Sequence, residues 1–199
     1  MASNREDSFF RWFRVLPLSL VAMCALLAAL LSMAPSFLMR SFFVPVKHEQ
    51  AILDSSARHN VDPLLACSII SCESGWREDA ESGVGAQGLM QMMDQTADML
   101  VAFNYVDGSS YSPQNLMDPE TNIEFGCAFL QYLQDNLENR DEIIAAYNAG
   151  LGAVQDWSEG SVSSLSDAIT YPETRMYLIR VNETYDAYQS FYDSDLQPK

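Results

Sequence analysis

The sequence predicts a mainly α fold, one helical domain that follows a single N-terminal transmembrane helix. Three observations predict it. Apolar residues recur at helical spacing through most of the chain beyond residue 50. Asp62-Pro63 and Asp118-Pro119 each mark a helix start, with aspartate as N-cap and proline in the first turn. The stretch Val15–Met39 carries no charge over 25 residues. No run alternates apolar and polar residues in the way a half-buried strand does.

The uncharged stretch comes first. It contains VAMCALLAALL and is bounded by Arg14 and Arg40. A bilayer core of roughly 30 Å takes about 20 apolar helical residues, so the stretch is long enough to span. A removed signal peptide needs a small-x-small cleavage site. The best candidate, Ser32-Met33-Ala34, runs directly into Pro35, and apolar character resumes at Phe37, Leu38 and Met39. A retained anchor therefore fits better than a cleaved leader. Arg5, Arg11 and Arg14 favour a cytoplasmic N-terminus, while Arg40 and Lys47 on the far side weaken that asymmetry. The expected organisation is a cytoplasmic tail over 1–14, an anchor over 15–39, a linker over 40–47, a helical domain over 48–192 and a tail over 193–199.

Within the domain, Ala51, Ile52, Ser55 and Ala57 suit a first helix. Leu64, Leu65, Cys67, Ile69 and Ile70 carry a second from Pro63 to about Cys72. Residues 74–87, rich in Gly and Ser, read as a loop, and Gly88 to Leu100 as a Met-rich helix. Residues 103–117 are irregular and polar. Ile123, Phe125, Cys127, Phe129, Leu130 and Leu133 continue the helix that starts at Pro119. A further helix over Asp141–Ala149 stops at Gly150, and a last one runs from about Pro172 to Tyr192.

Charge is divided unevenly. Residues 1–47 carry a net +3 and residues 48–199 a net −19, giving −16 for the chain. So acidic a domain repels phosphate backbones, which excludes nucleic acid as a partner. Cys24 lies in the uncharged stretch. Cys67, Cys72 and Cys127 lie in the domain, where at most one internal pair can form. His48 and His59 stand in no metal-ligand spacing with the cysteines, so no metal and no cofactor is expected.

Glu73 ends the apolar segment LLACSIISCE, just before the Gly- and Ser-rich loop. A carboxyl against apolar surface resists ionisation, and one still protonated near neutral pH can donate to a leaving group. Taken alone, it reads more readily as an ordinary solvated glutamate at a helix end. Its context changes that reading. Cys72-Glu73-Ser74-Gly75-Trp76 is followed by Ser82-Gly83-Val84-Gly85-Ala86-Gln87-Gly88-Leu89-Met90-Gln91, then by Asp118-Pro119-Glu120-Thr121-Asn122-Ile123. Ala145-Ala146-Tyr147-Asn148-Ala149-Gly150 and Tyr171-Pro172-Glu173-Thr174-Arg175 complete the series. In order and spacing these strings resemble the catalytic domain of the soluble lytic transglycosylase family, over about residues 48–192.

The resemblance implies a lysozyme-like helical fold and an extracytoplasmic enzyme acting on peptidoglycan glycan strands, which agrees with the orientation of the anchor read from the uncharged stretch. It implies Glu73 as the catalytic acid and base. It places Ser82, Met90, Gln91, Met93, Tyr147, Asn148 and Tyr171 along the substrate. The structural alternatives are that Tyr147 packs between helices, Asn148 caps one, and Met90 and Met93 are core. Trp76 and Trp157 are expected to pack, and Gly85 and Gly88 to serve backbone geometry. In this fold the helices bearing Cys72 and Cys127 lie near each other, which implies a Cys72–Cys127 disulfide, with two buried thiols as the alternative. Departures from the family pattern are Arg77-Glu78-Asp79 in place of a usual Asn-Pro, Asp94 in place of a proline, and a longer polar stretch at 103–117. They bear on the rim of the cleft. Two other functions fit the strings: a lysozyme-like hydrolase, and an inactive wall-binding module of a secretion or conjugation apparatus. An envelope-spanning apparatus is also compatible as a partner of an active enzyme.

Overall fold

A computed structural model describes residues 19–29, 44–158 and 165–197. The chain divides into two units between Phe43 and Val44. In the first, residues 19–29 are helical (α1), with Leu20, Val21, Met23, Leu26 and Leu27 exposed. The rest of the expected anchor over 15–39 lies outside the described residues. Among the described residues, no helix is long and apolar enough to cross a membrane.

The second unit is helical: α2 Glu49–His59, α3 Pro63–Glu73, α4 Asp94–Ala102, α5 Pro119–Gln134, α6 Arg140–Ala149, α7 Leu151–Ser158, α8 Leu165–Ala168 and α9 Pro172–Phe191. Both Asp–Pro starts are observed. Asp62 accepts from the Leu64 backbone N–H and Asp118 from that of Thr121, each cap contributing about 1 kcal/mol. The short α7 and α8, flanked by Gly150 and a polar stretch, gave no periodic signal to read.

Helix α3 is the central element. Leu64 to Ile70 are buried without interruption, as expected of a helix covered on every side. It packs chiefly on α9, while α2 packs on α5 and α6 on α9. The start of α3 is tied to α9 by the Tyr185 hydroxyl, which donates to Asp62 at 2.5 Å. Its end delivers Glu73 from the core to the surface of the unit. The packed unit begins before residue 48: Val44 is buried, and Tyr188 and Tyr192 donate to the carbonyls of Pro45 and Val44. Leu196, beyond α9, is buried as well.

Two expectations are corrected. The Met-rich helix begins at Asp94 and not at Gly88. Gly88 and Gln91 adopt positive φ of 72° and 49°, which breaks a right-handed helix, and residues 88–93 form turns in which Gln87 bridges to Met92. The expected Cys72–Cys127 disulfide is absent, and both cysteines are free thiols. Cys72 leaves α3 toward α9, its Sγ 3.6 Å from Thr184 Oγ1. Cys127 leaves α5 toward α2, its Sγ 3.9 Å from Ser56 Oγ. The two sulfurs point into different helix interfaces, and burial pushes the Cys127 thiol up to about 11.

Candidate active site

Glu73 is the last residue of α3, half-buried where the apolar helix ends. Tyr177, on the buried face of α9, donates its hydroxyl to Glu73 Oε1 at 2.6 Å. Burial raises the carboxyl above its ordinary pKa of 4.5, opposed by that hydrogen bond and by the Arg180 charge. Arg180 lies over the Tyr177 ring, 5.7 Å from its centroid. The carbonyls at the end of α3 also disfavour a negative charge there. The site therefore holds a carboxyl with weakened acidity and one fixed donor. That is a group able to give up a proton and then recover one.

Tyr147 sits near the end of α6. Its hydroxyl donates to the Met90 carbonyl at 2.9 Å and approaches Met92 Sδ at 3.4 Å. Burial pushes its phenol well above the usual tyrosine range, and the nearby Glu73 carboxylate raises it further. Tyr177 is raised well above that range too, by burial first and then by Glu73 and Tyr147. Both phenols thus stay protonated as donors. Asn148 is exposed, and its Oδ1 accepts from Thr174 Oγ1 at 2.8 Å. That bond joins α6 to α9 beside the site and uses the amide oxygen, not its N–H groups.

The segment 80–93 carries the other expected residues. Ser82 Oγ accepts from the Ala86 backbone N–H at 2.9 Å, which fixes the turn. Gln91 Nε2 donates to the carbonyls of Ala80 and Gly88. Met93 is half-buried at the N-cap of α4. Met90 corrects the expectation that it lines the groove. Its side chain is fully buried against Gly126 of α5, where an added Cβ would overlap the sulfur. Only its carbonyl reaches the site, as the acceptor of Tyr147. Tyr171 is 54% exposed at the N-cap of α9, edge-on to Trp157 at 5.2 Å.

Asn122 holds the segment in place. It is fully buried, accepts from the Met90 N–H at 2.7 Å and donates to the carbonyls of Gln87 and Leu116 at 2.8 and 2.7 Å. Gly88 passes so close to it that a Cβ there would meet the Asn122 amide and the Leu116 carbonyl. Trp76 packs as expected, 3% exposed, donating from Nε1 to the Tyr188 hydroxyl at 2.9 Å.

Glu73, Tyr147 and Tyr177 therefore form one cluster, with Asn148 and Arg180 at its edge. A family model described as the transglycosylase SLT domain matches residues 50–169. The chain belongs to this family. The soluble lytic murein transglycosylase of Escherichia coli K12 is 41% identical over 136 residues, covering 65% of this chain and 21% of that protein. The membrane-bound lytic murein transglycosylase C of Edwardsiella ictaluri is 32% identical over 167 residues, covering 72% of this chain and 46% of the relative. This chain thus spans less than half the length of either relative. Among solved structures, the 70 kDa soluble lytic transglycosylase of Escherichia coli superposes with a TM-score of 0.67 at 34% identity, covering 78% of this chain and 26% of that one. The mainly helical, lysozyme-like SLT fold is therefore established for residues 44–158 and 165–197.

Sequence reasoning missed Tyr177, Arg180, Thr174 and Met92 as neighbours of the site. Tyr177 falls within the expected last helix, from about Pro172 to Tyr192. The available signal was its hydroxyl: a phenol placed at a core position has to find a partner.

Proposed function

We propose that this SLT-family chain is a peptidoglycan lytic transglycosylase. It cleaves the β-1,4 bond between N-acetylmuramic acid and N-acetylglucosamine. The observation that carries this reading is the half-buried Glu73 carboxyl, raised in pKa and held by Tyr177 at the end of a buried helix. Glu73 protonates the glycosidic oxygen as the bond breaks. The substrate's own acetamide assists at the anomeric carbon. The ionised carboxylate then accepts the proton of the muramic C6 hydroxyl, which attacks to close a 1,6-anhydro ring. One carboxyl is acid and then base, and no water is consumed. Tyr177 and Arg180 favour the ionised form between the two steps. Asn148 and the segment carrying Ser82, Gln91 and Met93 position the sugar, with Tyr171 on the approach. Hydrolysis of the same bond would call for a second carboxylate to position water. Asp94, one of the acids that follow Glu73 in the sequence, is exposed and tied to Gln87 at 3.0 Å.

The proposed setting is the outer face of the cell membrane, with Val15–Met39 as a single-pass anchor and residues 44–197 extracytoplasmic. The uncharged 25-residue stretch and the family's wall substrate support it. An envelope-spanning apparatus is the kind of assembly such an enzyme would serve by opening the wall. The test is release of soluble muropeptides from purified peptidoglycan by the full chain and by Glu73→Gln. The parent should release them, and the variant should be slower by roughly 10²–10⁴-fold. A folded parent that releases none would overturn the proposal.

A further inference from the structure

A row of partly exposed aromatic rings leaves the catalytic cluster along α5. Tyr147 packs on Phe129 with ring centroids 5.2 Å apart, and Phe129 stacks on Tyr132 at 6.1 Å with 12° between the planes. Tyr132 meets Tyr105 edge-on at 5.7 Å and Phe103 at 6.4 Å. Asn104 between these last two adopts φ 62°, a left-handed conformation that asparagine tolerates. The turn lets Phe103 and Tyr105 both reach Tyr132. Phe103 is 58% exposed, a large apolar surface left in water.

The row ends at an open cavity of about 680 Å³ between α2, α5 and the stretch after α4. That volume lies within the roughly 300–1,000 Å³ of small-ligand sites. Phe103 and Tyr105 form an aromatic wall, with the Asn104 and Gln131 amides, the Ser110 hydroxyl and the Asp135 carboxylate beside it. The Tyr105 hydroxyl donates to Asp135 at 2.8 Å, which fixes the ring. A second wall is rigid: Arg58, His59 and Ser55 all bond the buried Glu124 carboxylate.

We infer that this cavity is a remote glycan subsite, which holds an uncleaved part of the same polysaccharide strand whose bond lies at Glu73. The inference rests on the cleavage reading above. A pyranose ring has an apolar C–H face that an aromatic ring covers, and an edge of hydroxyls and acetamides that amides and carboxylates bond. The lining offers both. The strongly acidic domain, net −19 over residues 48–199, turns away polyanions but not an uncharged sugar chain. The row of rings links the subsite to Tyr147 without a gap in aromatic contact. Phe103, Asn104 and Tyr105 fall in the polar stretch 103–117, one of the parts of the sequence that depart from the family pattern.

The test measures affinity, not turnover. Full-length Glu73→Gln is titrated with uncharged β-1,4-linked N-acetylglucosamine oligomers, as a tetrasaccharide and as a longer strand of eight sugars. The long strand should bind at least about tenfold more tightly than the tetrasaccharide. Adding Phe103→Ala with Tyr105→Ala should remove roughly that tenfold for the long strand and leave tetrasaccharide affinity within about twofold. The single Phe103→Ala change, at an exposed ring, guards against loss of fold and should remove part of the difference. Equal losses for both lengths, or none, would overturn the subsite. Anhydro-muropeptide release by the parent chain is scored separately. Its failure would sink the cleavage reading, whereas its success with length-independent binding would sink the subsite alone.

Discussion

The Tyr177 hydroxyl donates to Glu73 Oε1 at 2.6 Å and opposes the burial that raises the carboxyl's pKa. Removing it lets burial act with less opposition. In Tyr177→Phe the Glu73 pKa therefore moves further up. The rate at the optimum should fall about 10–100-fold, the worth of a hydrogen bond to a charged group. Because cleavage starts from the protonated acid, the alkaline limb of the pH–rate profile should also move to higher pH. A slower variant with an unmoved limb would mean that the phenol only supports packing. The same carboxyl links the site to stability. Folding raises its pKa above the ordinary 4.5, so the native state binds the proton more tightly and loses stability as pH rises through that interval. Glu73→Gln has no proton to lose. It should melt above the parent at about pH 7–8 and close to it below about pH 4, which scanning calorimetry at the two pH values would read.

Asn122 couples α5 to the segment 87–90 through three buried hydrogen bonds. Asn122→Ala strands the Leu116 carbonyl and the Met90 N–H, while the Gln87 carbonyl keeps the Met92 N–H, at a cost of about 2–4 kcal/mol in urea unfolding. It should also slow turnover beyond the loss of folded protein, because the Met90 carbonyl that receives Tyr147 is no longer fixed. The contact between α2 and α5 has a different basis. Burial alone would raise the Glu124 carboxyl, but hydrogen bonds from His59, Arg58 and Ser55 outweigh it and bring it down to about 2. The unfolded chain then binds the proton more readily. This stabilisation is complete above about pH 4.5 and is lost as pH falls toward 2. Glu124→Gln should flatten the acid fall of the urea midpoint in that window, and an unchanged slope would remove Glu124 as its cause. These elements also show what a sequence makes legible. The Asp–Pro caps and the apolar spacing of α3, α5 and α9 act locally, so they could be read directly. Glu73 and Tyr147 were reached through the order of the motif strings. The facing of side chains is a tertiary property. Cys72 and Cys127 lie on helices of one core yet look into different interfaces, and Met90 turns into the core beneath Gly126. The sequence expects α4 to start too early because methionines favour helix, whereas Gly88 takes its positive φ where it passes close against Asn122.

At the scale of the molecule, the family fold places the carboxyl proposed as acid and base where a buried helix surfaces, within a strongly acidic chain of net charge −16. The rest of the unit surrounds that carboxyl with donors: Tyr177 bonds it directly, and Tyr147 is held beside it by the cleft segment. An aromatic row extends the site toward Phe103. The proposed anchor over 15–39 would hold the unit at the membrane surface, within reach of the wall. Everything in the account turns on whether the bond at Glu73 is broken without water. The deciding measurement digests purified peptidoglycan with the full chain in heavy-oxygen water and weighs the muramic ends by mass spectrometry. The expected products are 1,6-anhydro ends with no solvent oxygen, and they should be lost in Glu73→Gln. Reducing ends that carry one heavy oxygen would contradict the transglycosylase reading and make the protein a hydrolase.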